Sequence, residues 1–167
     1  MSIEELNNLN SEKAFEEFFK CCGSTSWANK LSEIRPFNSI ENLLNSSDAI
    51  WLNASKQDGL EAFTHHPKIG DLKNLEKKFA STKDWAGSEQ AGVSVAANQT
   101  IIALGEGNLL YEKKFGYIFI VCATGKTADE MLALLNDRLP NDSEVEFKIA
   151  MNEQNKITHI RLKKLLA

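Results

Sequence analysis

The sequence predicts an all-α protein, a helical bundle in which residues 1–167 form a single domain. Helix start signals recur along the chain, and apolar residues follow them at spacings of three and four positions, as on one face of a helix. Strand signals are few. The clearest is the apolar run Phe119–Cys122 between Gly116 and Gly125, which could equally be a buried extended segment or a helical turn. The length of 167 residues also fits one ordinary globular domain.

The start signals are pairs in which a small polar residue stands three positions before a glutamate. In such a pair each side chain can hydrogen-bond the free backbone amide of the other residue. We therefore expect a helix to begin at each pair. The pairs are Ser2 with Glu5, Asn38 with Glu41, Asp58 with Glu61, Thr127 with Glu130, and Asn141 with Glu144.

Apolar stripes extend these signals into helices that turn one face toward a core. Gly23 ends the first stripe, Gly105 is expected to end a later helix, and Pro140 ends another, because these residue types commonly follow a last helical turn. Trp27 and Phe37 are also assigned to the core. The stripes are Ala14, Phe15, Phe18, Phe19 and Cys22; Leu132, Leu135 and Leu139; and the segments Ile40–Trp51, Leu72–Phe79, Glu89–Leu104 and Ile157–Leu166.

Composition and charge exclude several classes of partner. The chain is 43% hydrophobic and 25% charged, which is typical of a folded protein and not of a disordered one. Its net charge is −4, with both signs interspersed, so no nucleic-acid partner is expected. No apolar run approaches the roughly 20 residues of a membrane span, and no membrane partner is expected. Small-molecule substrates or protein partners remain.

The chain is expected to be cytoplasmic. The segment Met1–Glu5 is acidic where a signal peptide would be basic and then apolar, and Leu165–Ala167 is not a peroxisomal ending of the Ser-Lys-Leu type. The three cysteines, Cys21, Cys22 and Cys122, form no spaced framework for disulfides or zinc. We expect them to be reduced and mainly structural.

The segment Phe63–Asp71 contains the strongest local candidate for catalysis. Pro67 biases His66 away from helical angles, and an imidazole with an ordinary pKa of about 6.5 suits proton transfer near neutral pH. A histidine before proline can equally end a helix and bond a backbone carbonyl, and this pair alone favours that structural role. A metal site is not expected, because no HExxH spacing is present and the only histidine outside this segment is His159.

Other polar segments carry weaker signals. Glu89 lies in the first turn of a predicted helix, where a carboxylate complements the helix dipole for local reasons and where backbone amides could hold an anionic or carbonyl group. The segment Ala123–Thr127 ends like a phosphate-binding loop, but the first glycine of that motif is replaced by Ile120, so no nucleotide cofactor is expected and Lys126 is interpreted as solvated. Arg161 is also expected to be solvated unless its guanidinium reaches the two loops, where it could hold a carboxylate or ureido group in two hydrogen bonds.

Taken together, five segments resemble the 2-oxo-4-hydroxy-4-carboxy-5-ureidoimidazoline (OHCU) decarboxylase family, which acts in urate breakdown. They occur in the family's order and with similar gaps, and they span essentially the whole chain. The His-Pro-x-Ile-Gly and Glu-Gln-x-Gly pieces are specific in combination. The segments are Asp48–Trp51, Phe63–Asp71, Ser88–Gly92, Phe115–Gly125 and Ile160–Leu162.

The resemblance implies an all-helical carboxy-lyase, commonly a homodimer, that forms (S)-allantoin without a metal or organic cofactor. By motif, His66 and Glu89 are the catalytic residues, and Arg161 grips a polar end of the substrate. Many members have Ser where this chain has Ala86, so Ser88 or a water substitutes for the lost hydroxyl, or substrate binding is weaker. The implied substrate-binding residues are Pro67, Ala86, Gly87, Ser88, Glu89, Gln90, Phe119, Ile120, Val121, Cys122, Ala123 and Arg161.

The chemistry implied for this substrate needs no cofactor, because the carboxylate leaves a carbon adjacent to an imine that accepts the electron pair. The protein must orient the carboxylate, stabilise the intermediate and deliver a proton to one face. We assign proton transfer to His66, an orienting hydrogen bond to Glu89 and the anchor to Arg161. Two alternatives stay open: the pathway's hydrolase, which is β-rich in its own family, and a helical binding module without catalysis.

Overall fold

The computed structural model describes residues 1–66 and 90–167, and for residues 90–98 it describes the backbone only. These ranges contain eight helices and no strand, which confirms the predicted all-α class. None of the described helices is both long enough and apolar enough to cross a membrane. The helices are α1 (Ile3–Asn8), α2 (Ser11–Cys22), α3 (Thr25–Glu33), α4 (Ile40–Leu52), α5 (Lys56–Thr64), α6 (Gln90–Phe115), α7 (Ala128–Arg138) and α8 (Ser143–Leu165).

The backbone divides into two compact units. One unit comprises Met1–His66 with Ile149–Ala167, and the other comprises Pro67–Lys148. The first therefore contains α1 to α5 and most of α8, whereas the second contains α6, α7 and the start of α8. The assignment of residues 1–167 to one domain stays a prediction.

The core of the first unit is aromatic and is built on α2 and α3. The Phe18 ring meets the rings of Trp27 and Phe37 edge to face, with 6.2 Å between ring centroids in each pair. Trp27 and Phe37 are 1% and 3% exposed, which confirms their assignment to the core. Gly23 ends α2 as predicted: its φ is 81°, and its N–H donates to the carbonyl of Phe19 at 2.7 Å.

Two of the predicted helix starts are confirmed by complete capping boxes. Ser2 with Glu5 begins α1, and Thr127 with Glu130 begins α7, each with both side-chain-to-backbone bonds of the pair in place. The start predicted at Asn38 is wrong by one residue, because the Ser39 hydroxyl accepts from the amide of Asn42. Each correct pair fixes its helix through bonds between residues only three positions apart.

The predicted start of α5 is wrong by three residues. Ser55 pairs with Asp58, an aspartate that takes the place of the glutamate in the pattern, and Glu61 instead accepts from the amide and hydroxyl of Thr25 at 2.9 and 2.6 Å. Helix α3 was not predicted, since its cap Ser24 accepts from the amide of Trp27 at 3.3 Å without an acidic partner. Both errors follow from requiring a glutamate at the third position.

Helix α6 does not end at Gly105 as predicted but continues to Phe115. A glycine inside a helix costs only about 1 kcal/mol relative to alanine, and burial can offset that cost. Leu104 and Tyr111 are fully buried on this helix. A Cβ at Gly107 would lie 2.5 Å from Leu135 Cδ2, so the absence of a side chain there lets α6 and α7 pack closely.

The buried face of α7 differs from the stripe predicted for it. Met131, Leu135 and Arg138 are its buried residues, whereas Leu132 and Leu139 are only partly buried. An arginine therefore occupies a position that the helical period reserves for the core. Arg138 is 6% exposed.

Candidate active site

His66 lies in a tight turn at the end of α5. The amide of His65 donates to the carbonyl of Ala62 at 3.2 Å, and the amide of His66 donates to the carbonyl of Phe63 at 3.3 Å. These two bonds continue the helical direction for one turn and fix the backbone from which the imidazole projects. The His66 side chain is partly buried, as a proton-transfer group shielded from bulk water would be.

The ring of His66 is bonded to a buried glutamine of α8. His66 Nε2 lies 2.5 Å from Gln154 Oε1. Gln154 is fully buried, and its amide nitrogen donates to the carbonyl of Cys22 and to the hydroxyl oxygen of Thr158, both at 3.2 Å. The imidazole is therefore held by a polar group that is itself fixed from two further sides.

Burial lowers the pKa of His66 below its ordinary value, because removal from water penalises the charged imidazolium. The hydrogen bond to Gln154 acts in the opposite direction, and electrostatic interactions with Arg161 and His65 lower the pKa further. At neutral pH the ring is therefore largely neutral. A neutral imidazole can accept a proton and later return it.

Arg161 is partly buried in the same unit and is not the solvated residue that its position in the sequence suggests. Its Nη1 donates to the carbonyl of Cys21 at 3.2 Å, and its charge acts on His66. A guanidinium has five N–H donors, and among the residues that the structure describes Arg161 uses one of them, which suits a side chain that also holds a planar anionic or ureido group.

The cysteines beside this site are thiols. Cys21 and Cys22, at the end of α2, are free and buried, as expected for structural cysteines, and Cys122 of the second unit is also buried. Burial raises the pKa of Cys21 to about 11 and that of Cys22 to about 12, although the charge of Arg161 lowers both. The two thiols of α2 are therefore uncharged neighbours of the site at neutral pH.

His65 has a packing role. Its ring meets the ring of Phe19 edge-on, with 4.9 Å between centroids and an interplanar angle of 79°. It also covers Gly23, where an added Cβ would lie 2.8 Å from His65 Cβ and 3.0 Å from its Cγ. The turn that carries His66 thus rests on the end of α2.

In the second unit, the segment Phe119–Ala123 lies between α6 and α7, is largely buried and has no regular secondary structure. Arg138 holds it: Nη1 donates to the carbonyl of Ile120 at 2.8 Å, and the guanidinium lies over the ring of Phe119, with 4.6 Å to the centroid. Lys126, which is partly buried, donates from Nζ to the carbonyl of Cys122 at 2.9 Å and so also holds this segment.

A buried acidic residue of α8 fixes Arg138 in turn. Nε of Arg138 donates to Glu146 Oε1 at 2.7 Å, and the hydroxyl of Tyr111 donates to the same oxygen. Burial, followed by the bond to Glu146, raises the pKa of Tyr111, so its hydroxyl remains a donor. Asn141 donates to the other oxygen of Glu146 at 2.9 Å. Through Arg138, these side chains keep the segment Phe119–Ala123 in place.

The structure brings His66 and Arg161 together in the first unit and places Phe119–Ala123 in the second. Gln90 begins α6. The described residues contain no group of His, Cys, Asp or Glu side chains that could hold a metal ion. The remaining predicted site residues lie outside the described ones: Pro67, Ala86, Gly87, Ser88 and Glu89.

Sequence reasoning did not select Gln154 or Arg138. The sequence does indicate both residues, because each is a polar residue at a helix position that the apolar spacing assigns to the core. Gln154 and Thr158 precede Leu162 at four-residue spacing, and Arg138 follows Leu135 by three. A long polar side chain at a core position of a helix predicts a buried hydrogen-bonding role, because an unpartnered polar group there is costly.

Known proteins match the chain along nearly its whole length. A family model described as OHCU decarboxylase matches residues 7–163. The uric acid degradation bifunctional protein TTL of Arabidopsis thaliana is 37% identical over 153 residues, which cover 91% of this chain and 47% of that protein. The chain thus spans about half the length of that relative. The OHCU decarboxylase of Haloferax volcanii is 24% identical over 97% of this chain and 94% of its own length.

A solved structure agrees with these matches. The crystal structure of an OHCU decarboxylase in the presence of (S)-allantoin superposes with a TM-score of 0.72 and 37% sequence identity. The alignment covers 90% of this chain and 97% of that one. The likeness therefore extends over both units of the backbone.

Proposed function

Because the chain belongs to the OHCU decarboxylase family, we propose that it converts 2-oxo-4-hydroxy-4-carboxy-5-ureidoimidazoline to (S)-allantoin in urate degradation. The observation that carries this proposal is the arrangement around His66. A histidine at a helix end is held by Gln154, kept largely neutral by burial, and acted on by the charge of Arg161. A proton-transfer group and a cationic anchor are the two parts that such a decarboxylation needs.

The proposed reaction begins with the loss of CO2. The bond from the ring carbon to the carboxylate breaks and releases CO2, and the electron pair moves into the adjacent imine. The imine nitrogen that has taken the pair is protonated by solvent. The hydroxyl of the resulting enol gives its proton to the neutral ring of His66, which returns it to one face of the former imine carbon as the carbonyl forms, and this sets the configuration of the product. His66 transfers the proton, and general acid–base help of this kind contributes about 10² to 10⁴ in rate.

Arg161 anchors the carboxylate or ureido end of the substrate. Its planar guanidinium can make two parallel hydrogen bonds to such a group, as a lysine cannot. Its bond to the carbonyl of Cys21, at 3.2 Å, helps to fix the side chain. Charge and geometry together support this role.

The remaining substrate contacts are proposed from the resemblance. Pro67 borders the substrate, Glu89 orients it near the reacting atoms, and residues 86–90 bind it. The segment Phe119–Ala123 presents backbone groups to the substrate ring. This role is supported by the hydrogen bonds that Arg138 and Lys126 donate to backbone carbonyls of the segment, which fix its position. Ala86 in place of the usual serine is expected to be compensated by Ser88 or a water.

We also propose that the protein acts as a cytoplasmic homodimer and without a metal or organic cofactor. The homodimer and the cofactor independence rest on the family resemblance. Sedimentation velocity of the purified chain tests the dimer. Activity retained after extensive dialysis against a chelator supports cofactor independence, and activity restored only by an added metal contradicts it.

The proposed reaction is tested by its stereochemistry. Purified protein is mixed with urate, urate oxidase and the hydrolase that makes the substrate, and (S)-allantoin is followed by circular dichroism. Uncatalysed decay gives racemic allantoin, so an excess of the (S) form supports the proposal. A racemic product at high protein concentration contradicts it and favours a helical binding module.

A further inference from the structure

We propose that Gln154 is a positioning residue for His66, which it holds with Nε2 as a permanent hydrogen-bond donor, so that the proton exchanged in catalysis is the one on Nδ1. This inference rests on the proposed function, in which His66 transfers a proton. It adds a residue to the site and assigns the reacting atom of the imidazole.

The orientation of the Gln154 amide follows from its other partners. The carbonyl of Cys22 can only accept a hydrogen bond, so the group 3.2 Å from it must be the amide nitrogen. The hydroxyl of Thr158 donates to the backbone carbonyl of Gln154 at 3.0 Å, and its oxygen is then free to accept the second N–H at 3.2 Å. A flipped amide would bring two carbonyl oxygens together at Cys22.

The amide oxygen therefore faces His66, and it can only accept. At a separation of 2.5 Å, His66 Nε2 must carry a hydrogen whether the ring is neutral or charged. A neutral imidazole has one N–H, so the lone pair is on Nδ1. Gln154 is fully buried and Thr158 is 2% exposed, which leaves these bonds without competition from water.

The groups that act on His66 come from three elements of the first unit. Arg161 lies on α8 and His65 in the same turn, and both oppose protonation of the ring; Cys21 and Cys22, at the end of α2, are neutral thiols. Among the residues that the structure describes, Gln154 is the one whose interaction favours the charged ring. Gln154 therefore sets both the tautomer and part of the basicity. A glutamine that merely filled the core would set neither.

The tautomer is read directly by NMR of the whole chain labelled with ¹⁵N-histidine, with the His66 signals assigned from a His66→Asn sample. Above the pKa of His66, the wild-type ring is expected to show a protonated Nε2 and an unprotonated Nδ1. A wild-type ring with the proton on Nδ1 overturns the proposal without any further variant.

Two substitutions test the role of Gln154. Gln154→Leu removes the acceptor, so the ring is expected to lose its preference for the Nε2–H form. The acid limb of the pH–rate profile is expected to move to lower pH, and kcat is expected to fall at least about tenfold. That fall lies within the roughly 10⁴-fold that a wrong tautomer costs in a Ser-His-Asp triad. Asn152→Leu, the same type of change at an exposed position of α8, serves as the control and is expected to change neither readout.

Gln154→Glu keeps an acceptor and adds a negative charge. The ring is expected to keep its Nε2–H form, while the acid limb moves up in pH, because an opposite charge favours the imidazolium. An unchanged tautomer and pH profile in Gln154→Leu would overturn the inference. A wild-type protein that forms no (S)-allantoin would overturn the proposed function and the catalytic half of the inference, whereas the ring spectrum decides the Gln154 half by itself.

Discussion

Replacing Gly23 by alanine is expected to have two effects: strain in the backbone at Gly23 and displacement of the turn that carries His66. Gly23 has a φ of 81°, and a left-handed residue with a side chain costs roughly 1–2 kcal/mol. The added Cβ would also lie 2.8 Å from His65 Cβ, against an ordinary contact of 3.4 Å or more, so the two must separate by about 0.6 Å. A Cβ is fixed to its backbone, and the turn that carries His66 must move with it.

We expect Gly23→Ala to lower both the free energy of unfolding, by at least about 1–2 kcal/mol, and kcat. A misplacement of about 1 Å can cost up to about 10²-fold in rate, so a loss of several-fold to tenfold is expected for this smaller shift. Urea denaturation followed by circular dichroism gives the first quantity, and steady-state formation of (S)-allantoin gives the second.

Gly116→Ala is the matched control for this substitution. Gly116 has a φ of 79°, and an added Cβ there would meet no atom within 4 Å. Its loss of stability should therefore be similar to the strain part of the Gly23→Ala loss, with kcat unchanged. Equal kcat values for Gly23→Ala and Gly116→Ala would refute the reasoning that the turn of His66 rests on Gly23.

Three further predictions concern charge. Arg138→Met leaves Glu146 buried without its cation and is expected to lower the free energy of unfolding in urea by about 3–5 kcal/mol, whereas adding Glu146→Leu should recover much of the loss. Burial keeps the pKa of His66 in the folded protein below its value in the unfolded chain. The stability that the neutral ring contributes is therefore fully present above the unfolded pKa and is lost as the pH falls through the folded pKa. For the same reason, kcat/KM should persist below a pH of about 6.5. Arg161→Gln should lower kcat/KM by about tenfold or more, through loss of hydrogen bonds to a charged group. It should also move the acid limb of the pH–rate profile, which reports His66, to higher pH. Arg161→Lys should lower kcat/KM but leave the position of the acid limb nearly unchanged. An acid limb above the ordinary histidine value in the wild type, or an unchanged limb in Arg161→Gln, would contradict the electrostatic account.

The all-α fold was predictable because its signals are local. The start at Ser2 and the stop at Gly23 depend on bonds that span four residues or fewer, and a reader of the sequence sees both partners together. The continuation of α6 through Gly105 was not predictable in this way. It depends on the approach of Leu135 to Gly107, which are far apart in the sequence but in contact in the structure.

The candidate site shows the same division. His66 was selected from its proline and from the family pattern, both of which can be read along the chain. The role of Gln154 arises only when the fold brings it to the carbonyl of Cys22, 132 residues away, and to the ring of His66, 88 residues away. The proximity of Arg161 to His66 also required the structure, because the spacing along α8 indicates its face but not its neighbours.

The central claim is that His66 performs stereoselective proton transfer during decarboxylation. It is tested most directly by measuring the enantiomeric excess and the rate of allantoin formation for wild type, His66→Asn and the control His159→Asn, with folding checked by circular dichroism. His159 is bonded to Asp48 at 2.6 Å and has no assigned part in the reaction. We expect (S)-allantoin from wild type and His159→Asn, and a rate at least about 10²-fold lower with nearly racemic product from His66→Asn. A folded His66→Asn variant that still forms (S)-allantoin at the wild-type rate would contradict it.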